Sequence, residues 1–455
     1  MAAKTSTKPL RVFETTAKDF DKNWSKICQR RADSVSDAEV DAVVEAIVGR
    51  VRRGGDKELL SCIEEFAGAK LKSVAVSPGE WDDACDAVDP ADRAALGKAA
   101  MRVREFHRKR IPSSWEMQEE GGARMGQRIR PLDRVGLYVP GGKAFYPSSV
   151  IMNAIPASVV EVPEIVMASP PGADGLLKPE VLMAARLAGV HRVFKMGGAQ
   201  AVAALAYGTP SVPRVDKIVG PGNAYVAAAK RRVFGDVGID SEAGPTEVCI
   251  VADNSATPAW LAADLISQAE HDELAQAILV THVKKWVNRV QDQVARQLES
   301  LDRAKMAKKA LSTRGAILVT RNLEESITLA NEYAAEHLVL ACDDADALMK
   351  DVVNAGAVFL GHYTPVAAGD YLAGPNHVLP TGGTARFFSP LGVEDFLKRT
   401  SFAKFEASKL RELGSDVIRL AEIEGLTGHG NSVELRLQKI RKNRREREAA
   451  RDSER

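Results

Sequence analysis

The sequence predicts an α/β protein with two incomplete doubly wound units, a helical N-terminal region and a small C-terminal extension. Two observations support this fold class. From about residue 135 onward, short apolar runs alternate with helical stretches, as the strands and crossover helices of parallel sheets do. The chain also has 455 residues, more than one hydrophobic core usually serves, so we expect at least two domains.

Bulk composition argues against several classes of function. The apolar fraction is 45% and the charged fraction 27%, ordinary values for a globular protein. Lys and Arg number 62 and Asp and Glu number 61, so no overall field attracts nucleic acid or a membrane. No run reaches the roughly 20 apolar residues that span a bilayer, and the first residues lack the apolar stretch of a secretory signal. We therefore expect no membrane and no nucleic-acid partner.

The cysteines indicate a reducing environment. The chain has five of them, scattered along its length, and none forms a C-x-x-C pair. This pattern argues against a disulfide framework and against a cysteine zinc site. It is typical of proteins in the reducing cytoplasm, which is the location that we expect.

The first 110 residues or so predict helices. Ser36 and Glu39 have the spacing of a capping box. Behind them, apolar residues recur at helical spacing until Gly54 and Gly55, where we expect the helix to end. No motif that carries chemistry is visible in this region, so we interpret it as a packing and connecting segment.

Two blocks of alternating strands and helices follow. The first block predicts strands at 165–168, 192–196 and 217–219, and helices at 179–188, 199–207 and 223–234. The second block predicts strands at 248–252, 277–281, 316–320, 338–341 and 357–360. Thr257 as an N-cap and Pro258 at the first helical position predict the start of a helix in the second block.

The last segment, residues 439–455, is a charge run. It has eight Lys or Arg against four Asp or Glu, and no aromatic residue. Such a composition favours a solvated, disordered tail. A contact with nucleic acid is the alternative, although the four acidic residues dilute the positive charge.

Glycines cluster where predicted strands end. These turns are Pro140-Gly141-Gly142, Gly197-Gly198, Gly220-Pro221-Gly222 and Gly244-Pro245. They let the backbone approach a ligand closely, and helix N-termini offer N–H groups to phosphate. None of them forms the G-x-G-x-x-G dinucleotide fingerprint. From the glycines alone, a nucleotide site and ordinary turn chemistry explain the pattern equally well.

Four of the eight histidines stand near a carboxylate or carboxamide in the sequence. They are His271, three residues after Gln268; His337, directly after Glu336; His377, seven residues after Asp370; and His429, five residues after Glu424. Together they suit a metal site with nitrogen and oxygen ligands plus a general base. Each one alone is more often a structural histidine, and that alternative stays open at this point. The chain has neither H-E-x-x-H nor G-x-S-x-G, which disfavours a zinc protease and a serine hydrolase of the usual kinds.

Eight longer segments resemble histidinol dehydrogenase. They occur in the order of that family and together cover roughly residues 135–433. The segments are RVGLYVPGGKAFYPSSVIMNAIPA from 134, GGAQAVAALAYGT from 197, KIVGPGNAYV from 217, AGPTEV from 243, SQAEHD from 267, EHL from 336, GDYLAGPNHVLPTGGTAR from 369 and EGLTGHGNSV from 424. Motifs of this length are far more specific than any short pattern.

The resemblance implies an enzyme that completes histidine biosynthesis. Such an enzyme oxidises L-histidinol to L-histidine through histidinaldehyde, in two steps that remove four electrons. The resemblance implies NAD, used twice, and one Zn²⁺ per subunit as cofactors. It also implies an intertwined homodimer with shared active sites, in which Glu424 and His429 come from the partner subunit.

The functional positions of the family carry over residue by residue. They are Glu336 and His337 for the catalytic acid–base pair; Tyr138, Gln200 and Asn223 for NAD; Gln268, His271, Asp370 and His429 for zinc; and Ser148, Thr246, His377 and Glu424, together with His337 and the zinc ligands, for the substrate. The chemistry suits these residue types, because a histidine can accept the proton of an alcohol. A neighbouring glutamate can activate the water that adds to an aldehyde.

We expect the chain to divide as follows. Residues 1–134 form a helical region that contributes to the first α/β domain, and 135–245 form a Rossmann-like NAD-binding domain. Residues 246–390 form a second Rossmann-like domain with the zinc and catalytic residues. Residues 391–438 form a dimer-exchange segment, and 439–455 are the basic disordered tail.

Two other functions fit the residues less well. A related enzyme for another small alcohol, such as a hydroxylated sulfonate, is disfavoured by Glu424 and His377, because a carboxylate suits a substrate with an amino group. An inactive zinc-stabilised binding protein is disfavoured because Glu336 and His337 are both present. The one departure in the motifs is Thr246, where serine is common in the family; the hydroxyl is kept and a methyl is added.

Overall fold

The computed structural model describes residues 9–29, 38–141, 145–242 and 244–454. Within these ranges the chain divides into two compact units. The first unit holds the residues up to Ile111 together with Pro131–Phe396, and the second holds Pro112–Arg130 and the residues from Leu397 onward. None of the described helices is long and apolar enough to cross a lipid bilayer.

The first unit contains a five-stranded parallel sheet with the order β6-β5-β4-β7-β8. Its strands are β4 (Arg134–Tyr138), β5 (Glu164–Ser169), β6 (Arg192–Lys195), β7 (Lys217–Val219) and β8 (Gly238–Ile239). Its helices are α5 (Pro147–Val159), α6 (Pro179–Ala188), α7 (Gly198–Tyr207) and α8 (Ala224–Val233). The chain runs outward from β4 to β6 and then returns to the other side of β4. The carboxyl ends of β4 and β7 therefore form a switch-point crevice, where ligands bind in this class of fold.

The same unit contains a six-stranded parallel sheet with the order β1-β11-β10-β9-β12-β13. Its strands are β1 (Arg11–Glu14), β9 (Glu247–Ala252), β10 (Gln276–Thr281), β11 (Ala316–Val319), β12 (His337–Ala341) and β13 (Ala357–Leu360). Its helices are α9 (Pro258–Ala269), α10 (Lys285–Gln297), α11 (Ala304–Arg314), α12 (Leu323–Tyr333), α13 (Ala345–Leu348) and α14 (Val366–Tyr371). Every residue of β9, β10, β11 and β12 is buried, as parallel strands covered on both faces require. The two predicted doubly wound units are therefore confirmed, as these two parallel sheets with their helices, and both belong to the first compact unit.

The N-terminal region serves both sheets. Helix α2 (Ala38–Ala67) packs its apolar face against α7 and α8 in the core of the first sheet, and α3 (Pro78–Asp86) and α4 (Pro90–Arg108) follow it. However, β1 pairs with β11, and α1 (Phe20–Cys28) packs in the core of the second sheet. The expectation that the whole region contributes to the first domain is therefore wrong for β1 and α1. The reason is that pairing between segments about 300 residues apart leaves no local signal in a short strand.

Helix α2 contains Gly54 and Gly55, where the sequence predicted a helix end. Gly55 adopts φ 56° and ψ −138°, so two helical segments meet at this residue instead of one helix stopping. Only glycine adopts this left-handed backbone without strain. Ser36, the predicted capping residue, lies outside the described residues.

The second unit contains a three-stranded sheet and two long helices. The strands are β2 (Trp115–Glu119), β3 (Ala123–Pro131) and β14 (Leu397–Phe405), in the order β14-β3-β2. Helix α15 (Ala407–Ile423) follows, and then helix α16 (Thr427–Ser453). The expected disordered tail is instead the end of α16. Ion pairs between residues four apart, such as Arg444 with Glu448 at 2.7 Å, support that helix.

Candidate active site

The predicted acid–base pair lies at the amino end of two neighbouring strands in the second sheet. Glu336 directly precedes β12 and His337 is its first residue. Strand β12 pairs with β9, and His337 lies opposite Val248. This register brings the pair beside Thr246 and Glu247, at the start of β9, although about 90 residues separate the two segments in the sequence.

Glu336 is a buried carboxyl group held by two donors. Its exposed fraction is 7%. Its Oε2 accepts a hydrogen bond from the backbone N–H of Glu247 at 2.8 Å and another from the hydroxyl of Thr246. Burial raises the pKa of Glu336 from the usual 4.5 to about 7, while His337 and the two hydrogen bonds oppose this rise. A carboxyl group with this pKa exchanges a proton near neutral pH, as a general base must.

His337 is buried and oriented by the backbone. Its Nδ1 lies 3.0 Å from the carbonyl oxygen of Glu247. A carbonyl oxygen only accepts, so Nδ1 carries the proton and Nε2 presents a lone pair. Among the residues that the structure describes, Nε2 has no hydrogen-bond partner, and its distance to Oδ1 of Asp370 is 4.0 Å. The ring therefore offers one basic nitrogen to the space beside Asp370.

Three of the predicted zinc ligands lie in the first unit. Gln268 is 2% exposed in the last turn of α9, and its amide Nε2 donates to the hydroxyl of Thr246. This bond occupies the nitrogen and leaves the amide oxygen as the donor atom for a ligand. His271 follows one turn later, and its backbone N–H contacts the carbonyl of Gln268 at 3.4 Å. Asp370 is half-buried in α14.

The electrostatics connect His271 with Asp370. His271 is exposed as a residue, yet the protein atoms around its ring displace enough water for desolvation to be the largest cause of a lowered pKa. The carboxylate of Asp370 opposes this shift by attraction. A lowered pKa keeps the imidazole neutral, which is the form that binds metal ions.

The donor set fits a divalent metal ion. An amide oxygen, an imidazole nitrogen and a carboxylate oxygen are ligand types that zinc accepts. No group of three or more His, Cys, Asp or Glu residues positioned for a metal occurs in the described part of the chain. The donor set proposed here differs from such a group, because one of its three members is the amide of Gln268.

His377 also lies beside Asp370. Its Nδ1 lies 2.9 Å from the backbone carbonyl of Asp370 and 3.9 Å from Oδ1 of the same residue. Burial lowers the pKa of His377, and Asp370 opposes the shift. The other ring nitrogen lies 3.5 Å from the hydroxyl of Ser149. Ser149 was not predicted, whereas the predicted Ser148 is half-buried beside it in the first turn of α5. The only signal in the sequence was the Ser-Ser pair itself.

The remaining predicted residues lie elsewhere in the fold. Glu424 and His429 belong to the second unit, between the end of α15 and the first turn of α16, and both are exposed. The expectation that they serve the active site of a partner subunit concerns an assembly of two chains and stays a prediction.

The three predicted NAD positions lie at the carboxyl edge of the first sheet. Tyr138 ends β4, and its hydroxyl accepts a hydrogen bond from the N–H of Gly198 at 3.1 Å. Burial raises the pKa of this Tyr138 phenol. Gln200 is buried in the first turn of α7. Asn223 caps α8 by accepting from the N–H of Val226 at 3.1 Å. Tyr138 thus lies at the end of β4, and the turn that carries Asn223 follows β7; these are the two strands of the switch point.

Together, the fold and the geometry define an α/β protein with a switch-point crevice on one sheet and the buried Glu336–His337 pair on the other. Comparison with known proteins places it more narrowly. The family model described as histidinol dehydrogenase matches residues 29–437. The chain therefore belongs to the histidinol dehydrogenase family, whose members are NAD-dependent oxidoreductases.

Individual relatives agree with this family. A histidinol dehydrogenase from Geobacter sulfurreducens is 51% identical over 432 residues, which are 94% of this chain and 100% of that protein. One from Syntrophotalea carbinolica is 54% identical over 400 residues, or 88% of this chain and 93% of that protein. The crystal structure of histidinol dehydrogenase from Elizabethkingia anophelis superposes with a TM-score of 0.90 at 33% identity, covering 96% of this chain and 100% of that one.

Proposed function

We propose that this chain oxidises L-histidinol to L-histidine in two successive steps, with NAD as the oxidant and zinc as the bound metal. The observation that carries the proposal is the Glu336–His337 pair. It combines a histidine whose Nε2 is basic and buried with a carboxyl group whose pKa burial raises to about 7. The two groups supply the two different proton transfers that a four-electron oxidation of an alcohol requires.

In the first step, His337 removes the hydroxyl proton of the alcohol. Its Nδ1–H donates to the carbonyl of Glu247, which fixes the tautomer and aims Nε2 at the space beside Asp370. The proton moves from the substrate oxygen to Nε2 as the carbinol carbon loses a hydride. The product of this step is the aldehyde.

In the second step, Glu336 activates a water molecule. An aldehyde has no hydroxyl proton to lose until water adds to its carbonyl carbon and forms a diol. Glu336 accepts a proton from that water as the new C–O bond forms, and His337 gives the proton taken in the first step to the carbonyl oxygen, which completes the diol and restores the neutral imidazole. His337 then removes a hydroxyl proton from the diol as a second hydride leaves, and the carboxylic acid results.

NAD supplies the hydride acceptor in both steps, and Tyr138, Gln200 and Asn223 are the residues that we propose to hold it. Bound zinc would supply a positive centre for the nitrogen atoms of the substrate and would so orient the carbinol carbon. The residues proposed to hold zinc are Gln268, His271 and Asp370 with His429 of the partner subunit.

The substrate assignment rests on a few polar side chains. His377 lies against Asp370, within the same cluster as His337. Thr246 presents a hydroxyl between Gln268 and Glu336. We propose that Ser148, Thr246, His377 and Glu424 of the partner subunit contact the substrate, in an intertwined homodimer of the cytoplasm.

The test is the stoichiometry of NADH formation. Purified protein with limiting L-histidinol and excess NAD is expected to form two NADH and one histidine per substrate. Removal of metal by a chelator, verified by metal analysis, is expected to abolish turnover, and added Zn²⁺ to restore it. A His337→Ala variant serves as the control, since it is expected to keep its metal and lose both steps. One NADH per histidinol, or full activity in verified metal-free protein, would contradict the proposal.

A further inference from the structure

A buried ion pair lies behind the loop that joins β7 to α8, and the mechanism above does not use it. Lys230 is on α8 and its side chain is 2% exposed. Asp240 follows β8 and its side chain is 6% exposed. The ammonium group of Lys230 donates to Oδ1 of Asp240.

The pair binds both backbone polar groups of one residue. Lys230 Nζ donates to the carbonyl oxygen of Gly220 at 3.0 Å. The backbone N–H of Gly220 donates to Oδ2 of Asp240 at 2.8 Å. Gly220 is thus held from both sides, and it is the first residue of the Gly220-Pro221-Gly222 turn.

Gly220 has little freedom to occupy another position. Its φ is +114°, a backbone conformation that only glycine adopts readily. A Cβ atom at this residue would lie 2.1 Å from the carbonyl oxygen of Tyr138. The ends of β4 and β7 therefore meet at Gly220, and the ion pair holds the turn against Tyr138 at this contact.

Asn223 is linked to the same pair through helix α8. Asn223 begins α8 with its cap to Val226, and Lys230 lies on that helix about two turns later. Lys230 therefore ties the helix to the turn that precedes it. The turn, the capping residue and the end of β4 form one connected arrangement around the switch-point crevice.

A buried ion pair contributes little net free energy to the stability of a core. Its two charges lose their hydration, and apolar side chains of similar volume often stabilise a protein as well or better. In some proteins, buried polar or ionic groups instead select one arrangement of the groups that they bind. Here the ion pair binds the backbone N–H and C=O of Gly220, which lies in a loop at the switch-point crevice.

We propose that Lys230 and Asp240 are positioning residues that preorganise the Gly220–Asn223 turn for a dinucleotide. This inference rests on the proposed function, because it takes Tyr138 and Asn223 to be NAD-binding positions. A turn held in its bound shape binds its ligand more tightly, because less ordering is needed on binding. The pair acts on NAD affinity and leaves proton transfer at Glu336 and His337 unchanged.

The test compares NAD binding in the Lys230→Met/Asp240→Asn double variant with that of the wild type, by isothermal titration and by steady-state kinetics. Met and Asn keep the volume and remove both charges. We expect the Kd and KM of NAD to rise about tenfold, the factor for loss of roughly one hydrogen bond of ordinary strength. The KM of histidinol and the zinc content are expected to stay within about twofold.

A matched control removes another ion pair from the same sheet. Lys217 begins β7, and its Nζ lies 3.0 Å from Oδ1 of Asp395. Lys217→Met/Asp395→Asn is expected to leave NAD affinity unchanged, because this pair lies at the opposite end of β7 from the turn. Equal losses of NAD affinity in both double variants would overturn the inference, since they would indicate general destabilisation.

Thermal unfolding verifies that each variant is folded. Should the double variant fail to fold, Asp240→Asn alone keeps an oxygen acceptor for Gly220 and is expected to weaken NAD binding about threefold. A folded variant whose Kd for NAD equals that of the wild type would overturn the positioning role but not the proposed function. Wild-type protein that neither binds NAD nor oxidises histidinol would overturn both.

Discussion

The hydroxyl of Thr246 joins two groups of the proposed site. It accepts a hydrogen bond from the amide nitrogen of Gln268 and donates one to Oε2 of Glu336. A Thr246→Val substitution keeps the shape and removes both bonds. The amide of Gln268 then lacks the partner that turns its oxygen toward the metal site, and Glu336 keeps only the N–H of Glu247 as a donor.

The size of the effect follows from these two losses. A buried polar group without its partner costs roughly 1–3 kcal/mol. If the transition state bears that cost, kcat/KM at pH 7 falls by about 5- to 150-fold. The hydrogen bond from Thr246 lowers the pKa of Glu336, so its removal raises that pKa further above about 7. A smaller fraction of Glu336 is then ionised at pH 7, and the rising limb of the pH profile moves to higher pH.

The assay is kcat/KM for L-histidinol between pH 6 and pH 9, with zinc content measured on the same samples. Thr246→Ser is the matched control, because it keeps the hydroxyl and removes only a methyl group. It is expected to stay within about twofold of the wild type, since removal of one methyl group costs little when the hydroxyl bonds persist. A Val variant with the activity and pH profile of the Ser variant would refute the role of the hydroxyl.

Two further predictions concern the carboxyl group of Glu336 and the proposed homodimer. In metal-free protein, the pKa of Glu336 is raised from 4.5 to about 7 by burial, so the neutral carboxyl is favoured in the folded state. Its contribution to the free energy of unfolding is fully present below pH 4.5 and is lost as pH rises through 7. Denaturant unfolding measures this effect at pH 5 and pH 8. Between these two pH values, the free energy of unfolding of Glu336→Gln should rise by about 2–3 kcal/mol relative to that of the wild type. An unchanged difference between the two proteins would contradict the raised pKa. In the second prediction, inactive His429→Ala and His271→Ala proteins regain part of the activity when their subunits exchange, because one of the two sites in a mixed dimer keeps all its ligands; no recovery after verified exchange would argue against a shared site.

Local patterns determined most of the secondary structure. The predicted helix 179–188 coincides with α6, and the predicted strand 217–219 coincides with β7. Both follow from apolar spacing and from Pro179 at the helix start, which act within a few residues of each other. The prediction of a disordered tail at 439–455 was wrong. A high charge content predicts contact with solvent, but ion pairs between residues four apart also stabilise a solvent-exposed helix.

The sequence by itself also singled out the candidate site residues, because long motifs place Glu336, His337, Gln268 and Asp370 in recognisable surroundings. It did not distinguish Ser149 from Ser148, since neighbours on a helix point about 100° apart and only packing decides which one faces His377.

Only the tertiary structure decided how distant segments meet. The parallel register of β9 and β12 places the hydroxyl of Thr246 on Glu336, and the return of the chain to β7 places Lys230 and Asp240 around Gly220. The sequence encodes helical and strand periods locally, so they can be read along the chain. Contacts between segments far apart depend on how whole sheets and helices pack, and no local pattern records that packing.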